Sequence, residues 1–184
     1  MKLPVCVILS GGKSSRFGCD KTLVKFNECD TLTEFCVKRY GEIFEKIFVS
    51  AKNDKFGGKF KLLIDKSSEF SPMNALFSIL ENFKNEKVFI VPADMPLVEF
   101  STIYSLYENS ANEKICVAKE SKRTHFLCGF FSSEIADLAC SLAKKNEHKI
   151  ENLCKKAGFK SVEFQNSGQF LNINYQSDLL KVKI

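Results

Sequence analysis

Residues 9–21, LSGGKSSRFGCDK, place Gly11, Gly12 and Gly18 among the cations Lys13, Arg16 and Lys21, directly after the apolar run 5–9. Backbone that carries no Cβ atoms can come close to an anion and turn its N–H groups toward it. Fixed positive charge on the same loop suits phosphate oxygens. The spacing is neither G-x-G-x-x-G nor G-x-x-x-x-G-K-[ST], so the dinucleotide fingerprint and the P-loop are both excluded. A second concentration of chemistry is VPADMPL, 91–97, where Asp94 follows an apolar run and stands between Pro92 and Pro96. A carboxylate in that place suits a hard divalent cation, and it equally suits a proline-bounded turn.

Both stretches need a scaffold that brings strand ends together. Apolar runs recur at 5–9, 47–51, 62–64, 88–92 and 115–118, with a further candidate at 126–131. Between them, helical periodicity appears at 31–44, 72–83, 101–108 and 133–145. Ser71 and Pro72 supply an N-cap and a first helical position. Strands apolar on both faces, alternating with amphipathic helices, predict an α/β fold with a mostly parallel sheet covered on both sides. In such sheets ligands bind beyond the carboxyl ends of the strands, where the glycine stretch and Asp94 both fall. Residues 52–61, with Gly57 and Gly58, read as a surface loop.

The 184 residues predict one domain spanning 1–184, with no repeat and no linker to divide it. Hydrophobic residues at 45% and charged residues at 27% match a folded globular chain. No apolar run approaches the roughly 20 residues of a membrane span, and no signal peptide is recognisable, so a cytoplasmic location is expected. The eight cysteines contain no C-x-x-C pair, and Cys6, Cys116, Cys140 and Cys154 sit among apolar residues as small core side chains would. The net charge of +5 is spread along the chain without the dense basic stripe of a nucleic-acid binder. It suits a small anionic substrate. The basic group Lys144, Lys145, His148, Lys149, Lys155 and Lys156 reads as a solvated helical face.

The pattern L-S-G-G-x-S-x-R-x-G-x-D-K resembles the L-A-G-G-x-S-x-R-M-G-x-D-K signature of the molybdenum cofactor guanylyltransferases, with Ser10 for alanine and Phe17 for methionine. The likeness extends through LLIDKS at 62–67, VPADMPL, and LNINYQSDL at 171–179, which is similar to the family's N-x-N-T-P-x-D-L. It implies a Rossmann-like three-layer nucleotidyltransferase sandwich that joins GMP from GTP to molybdopterin and releases pyrophosphate.

Carried over residue by residue, it implies nucleotide contacts from Leu9, Ser10, Gly11, Gly12, Ser14, Lys21, Ser50, Asp65 and Asp94. Arg16, Lys21 and Asp94 would be catalytic, and Asp94 would hold Mg2+. Asn172, Asn174 and His125 would lie toward the pterin. GTP and molybdopterin are the implied partners, with transient contact to molybdoenzymes or other cofactor-biosynthesis proteins, and with neither nucleic acid nor membrane. Asp20 would either orient Lys21 or cap the segment that follows.

Two stretches depart from the family pattern. Ser71-Pro-Met-Asn-Ala75 stands where G-P-L-A-G is usual, and Ser50 replaces an asparagine. Two further readings therefore stay open: a cytidylyltransferase acting on the same pterin or on a sugar or polyol phosphate, and a non-catalytic adaptor that delivers nucleotide or cofactor.

Overall fold

The strand β1, Leu3–Leu9, sits at the centre of the sheet because both of its faces are apolar. Val5 and Val7 point into one core, Cys6 and Ile8 into the other. The computed structural model describes residues 2–12, 17–65, 67 and 69–182. After β1 come α1 (Leu32–Gly41), β2 (Phe44–Ala51), β3 (Leu62–Ile64), α2 (Pro72–Leu80) and β4 (Lys87–Pro92). The chain continues with α3 (Phe100–Asn109), β5 (Ile115–Glu120), β6 (Arg123–Ser132), α4 (Ala136–Lys144), α5 (Ile150–Ala157), β7 (Lys160–Glu163) and α6 (Asp178–Lys181).

The seven strands form one sheet in the order β3-β2-β1-β4-β6-β5-β7. Pairings β1–β2, β1–β4, β2–β3 and β5–β7 are parallel, whereas β6 runs antiparallel to both neighbours. One face is covered by α1 and α3, whose Cys36, Tyr40, Ile103 and Leu106 pack with Phe89, Val91 and Phe130. The other is covered by α2, α4 and α5, through Leu76, Ile79, Leu142 and Leu153 against Val88, Ile90 and Phe131. The α/β class and the three layers follow from this alternation of side chains along β1 and β4. A third cluster of Phe17, Phe26, Leu32, Ile173 and Val182 binds the C-terminal segment to the chain that follows the glycine stretch.

Several element bounds differ from the periodicity reading. The helix expected over 31–44 ends at Gly41, and Phe44 begins β2. Phe44 stacks on Phe89 at 5.5 Å between ring centroids, so it satisfies a helical period by coincidence while its burial belongs to the sheet. The helix expected over 133–145 opens as a 3-10 turn at Ser133–Ile135. The edge strand β7 has no apolar run to mark it in the sequence, because only Val162 among its four residues is even half-buried.

Among the described residues, no helix is long and apolar enough to cross a membrane. All eight cysteines are free thiols. Burial pushes the thiols of Cys128 and Cys154 up to about 12 and that of Cys116 to about 11, so they pack as neutral side chains.

Candidate active site

Sheet order places a topological switch at β1 and β4: the chain runs outward from β1 to β2 and β3, then returns to β4 on the other side of β1. A cleft of about 910 Å³ opens at the carboxyl ends of these strands, where this topology leaves room for a ligand. Leu9, Gly11 and Gly12 enter it from β1, Ser50 and Ala51 from β2, Asp65 from beyond β3, and Asp94 from beyond β4. Gly12 has φ +140°, a conformation that favours glycine. The turn after β4 is pinned to β1 by the bond from the Ala93 N–H to the Leu9 carbonyl, 3.0 Å.

At the centre, Lys21 Nζ pairs with Asp94 Oδ2 at 2.5 Å. The same ammonium donates to Asn174 Oδ1 at 3.2 Å and to the Ile173 carbonyl at 3.1 Å, while the Ile173 N–H donates to the Asp94 carbonyl at 2.8 Å. Three segments far apart in sequence therefore meet on one cation. Asn174 is held by its own N–H donating to Asp178 Oδ2 at 3.0 Å.

Asp20 does not orient Lys21. Its Oδ1 accepts from the Thr22 N–H at 3.0 Å, capping the 3-10 turn Lys21–Leu23, and its Oδ2 pairs with Lys55 at 2.5 Å. Burial would raise the Asp20 carboxyl, but the bonds from Lys55 and Thr22 outweigh it and hold it below the ordinary range.

Lys55 is the main site-ordering residue that sequence reading missed. It belongs to the loop 52–61, yet its ammonium also donates to the Ser10 carbonyl and to Thr22 Oγ1, both at 2.7 Å. It thus ties the entry of the glycine stretch to its exit. Lys52 does similar work beyond β2, pairing with Asp65 at 2.6 Å. No local pattern marks either lysine, because their partners lie outside the loop itself.

The other expected residues are distributed unevenly. Ser10 is fully buried and exchanges a hydrogen bond with Thr33 Oγ1 at 2.9 Å, so its backbone and not its hydroxyl serves the strand end. Ser50 lines the cleft, and its carbonyl accepts from the Ser10 N–H at 2.9 Å. Ser14 and Arg16 lie outside the described residues.

Asn172 and His125 also line the cleft, with Arg123 and Phe126. The His125 ring stacks on Phe170 with centroids 4.6 Å apart, and Nε2 meets Glu120 Oε1 at 3.0 Å. Burial depresses its basicity more than Glu120 restores it, so it is neutral at pH 7. The basic group at 144–156 is not one solvated helical face. His148 and Lys149 fall between α4 and α5 and line the cleft, and His148 Nδ1 meets Ser71 Oγ at 2.7 Å.

Among the described residues no group of three or more His, Cys, Asp or Glu could hold a metal by itself. Asp94 lines the cleft together with Asp65 and Glu151, and a carboxylate in an open cleft suits a magnesium ion that takes its remaining oxygens from phosphates and water.

A family model described as the MobA-like NTP transferase domain matches residues 6–160. The chain belongs to this family. Nucleotidyl transfer of the MobA type is accordingly its activity. A molybdenum cofactor guanylyltransferase of Campylobacter jejuni subsp. doylei is 45% identical over 183 residues, covering 97% of this chain and 94% of that protein. A crystal structure of an Aquifex aeolicus VF5 protein superimposes with a TM-score of 0.78 at 28% identity, covering 92% of each chain. Molybdopterin-guanine dinucleotide biosynthesis protein A from Archaeoglobus fulgidus shares the fold, with a TM-score of 0.82 at 18% identity over 98% of this chain and 97% of that one. The glycine stretch, Lys21 and Asp94 of this MobA-like transferase all lie within the matched region, whereas Asn172 and Asn174 lie beyond it.

Proposed function

We propose that this MobA-like transferase joins GMP from GTP to molybdopterin, releasing pyrophosphate. The observation that carries the reading is the meeting of Lys21, Asp94 and Asn174 at the mouth of the glycine turn. A phosphate oxygen of the acceptor forms the new bond to the α-phosphorus of GTP, the bond from that phosphorus to the bridging oxygen breaks, and pyrophosphate leaves with the electron pair. No covalent enzyme intermediate is required, so the protein acts by positioning the two anions and neutralising their charge.

Gly11 and Gly12 bring backbone to the phosphates. Lys21 stabilises the charge that grows on the leaving group, with Arg16 assigned to the same task by its place in the motif. Magnesium held by Asp94 would add Lewis-acid neutralisation of the phosphate oxygens. Leu9, Ser50 and Asp65 lie toward the nucleoside, while Asn172, Asn174 and His125 lie toward the pterin. As His125 is buried and neutral, it contributes shape and hydrogen bonding there rather than charge.

Calorimetric titration with GTP and with CTP, each with magnesium, tests the reading when repeated on Asp94→Asn. Selective GTP binding that weakens in the variant is expected. CTP preference would reassign the enzyme as a cytidylyltransferase. Nucleotide binding without magnesium-dependent pyrophosphate release in the presence of acceptor would make it a carrier.

A further inference from the structure

Phe70 is an aromatic residue that the phosphate chemistry leaves without a task. The residue is 55% exposed although it lines the cleft, together with Lys52 and Ser71. A phenyl ring half in water gives up burial that a core position would provide. Its backbone surroundings are nevertheless closely held. Lys52 Nζ donates to the carbonyls of Ser67 and Glu69, both at 2.6 Å, besides pairing with Asp65. Asn74 Nδ2 donates to Ser67 Oγ at 2.8 Å, and Ser67 N–H to Asp65 Oδ1 at 3.0 Å. The Lys52 ammonium also stands 5.3 Å from the Phe70 ring centroid. One lysine thus holds the chain beside Phe70 and stands over the ring.

We propose that Phe70 is the stacking platform for the nucleobase of the bound nucleotide, and that Lys52 is its positioning residue. The inference rests on the nucleotidyl-transfer reading and adds the group that grips the base. The choice of base over acceptor follows from Asp65, which the nucleotidyl-transfer reading assigns to the nucleoside: Phe70 follows β3 as Asp65 does, and Lys52 both pairs with Asp65 and stands over the Phe70 ring. A nucleotide with its phosphates at the Lys21–Asp94 pair and its sugar toward Asp65 brings its base to Phe70. The neighbouring residues offer the base edge little. Ser71 Oγ already accepts from the Met73 and Asn74 N–H groups and meets His148, and Ala75 contributes a methyl group. Stacking on an aromatic face supplies affinity that such an edge lacks, for any base with a π-face.

The chain contains no tryptophan, so Phe70→Trp introduces a single indole reporter. Saturable quenching by GTP and GMP with magnesium is expected, with no change on adding inorganic tripolyphosphate or ribose 5-phosphate. Phe70→Ala should weaken GTP binding about tenfold or more while tripolyphosphate binds as before, and Phe70→Tyr should recover the loss. In the Phe70→Trp background, Lys52→Met should lower indole anisotropy and quenching, and Lys52→Arg should restore both. GTP binding seen by calorimetry without quenching, or unchanged GTP affinity in Phe70→Ala, overturns the platform. Quenching by CTP in place of GTP upholds the platform and refutes only guanine as the base. A wild-type protein that binds neither nucleotide refutes both readings.

Discussion

Lys21 is the residue on which the site converges. Its ammonium is shared by a carboxylate beyond β4, an amide on the C-terminal segment and a backbone carbonyl beside it. Without phosphates these partners hold it in place, and phosphate oxygens compete for the same donors when nucleotide binds. Lys21→Ala should reduce pyrophosphate release by about 10²-fold or more, the usual cost of removing a preorganised charge-stabilising donor. The thermal transition should remain cooperative, because the residue lies at the cleft and outside the apolar clusters. Turnover close to that of the wild type would remove Lys21 from the mechanism. The capping reading of Asp20 also belongs to this scale. Its residue type admitted either role, and the choice was made by Lys55, 35 positions away.

The loop 52–61 shows how an element with no periodicity can still shape a site. Gly57 and Gly58, with φ of +63° and +75°, turn the chain as their sequence suggests. What the loop carries matters more: Lys55 reaches the glycine stretch, and Lys59 Nζ meets Glu34 Oε2 on α1 at 2.8 Å. Lys55→Met would leave the Ser10 carbonyl and Asp20 Oδ2 without their ammonium partner, at a cost of about 1–3 kcal/mol. The expected outcome is a modest fall in Tm together with a several-fold rise in KM for nucleotide and a smaller change in kcat. Lys55→Arg should recover the KM in part, since it restores the charge with different geometry. A fall in Tm with KM unchanged would make the tie purely structural. Close strand packing is visible at Gly129 of β6, where a Cβ would stand 2.2 Å from the Cys116 carbonyl oxygen, beside the register shift at Val117 and Ala118.

For the whole molecule, the depressed carboxylates determine acid sensitivity. The Lys59 hydrogen bond, opposed by burial and aided by Lys38, holds Glu34 at about 2, against an ordinary value of 4.5. A carboxyl with a lowered folded-state pKa stabilises the fold fully above its unfolded value and loses that contribution as pH falls through the folded one. Stability supplied by Glu34 should therefore be complete above about pH 5 and decline toward pH 2. Asp20 and Asp178, also lowered, act in the same direction. His125 adds to the loss from the other side: with its basicity depressed, the folded state resists the proton that the unfolded chain accepts below pH 6.5. Glu34→Gln keeps an oxygen for the Asp30 N–H, which Glu34 Oε2 accepts at 3.1 Å, and removes only the charge. Its Tm should lie below that of the wild type at pH 6 and converge with it near pH 2. A gap that persists at pH 2 would exclude the charge as its cause.

The strands β1 to β6, the α/β class and the first and fourth strand ends were legible from sequence, because continuous apolar runs and glycines act locally on the backbone. Ser71 and Pro72 likewise announced the start of α2. The glycine stretch could be recognised as candidate chemistry for the same reason, as a local departure from what a turn needs, whereas Asp94 equally suited a proline-bounded turn and was singled out by the family resemblance. The pairing of Lys21 with Asn174, 153 positions away, the use of Lys55 and Lys52, and the arrival of His148 at Ser71 left no such trace. Isolated polar residues carry no period, and their partners are set by sheet order and by the docking of the C-terminal segment through Phe17, Ile173 and Val182. Local backbone preference and hydrophobic pattern are written along the chain, whereas charge pairing across the cleft exists only once the layers have packed.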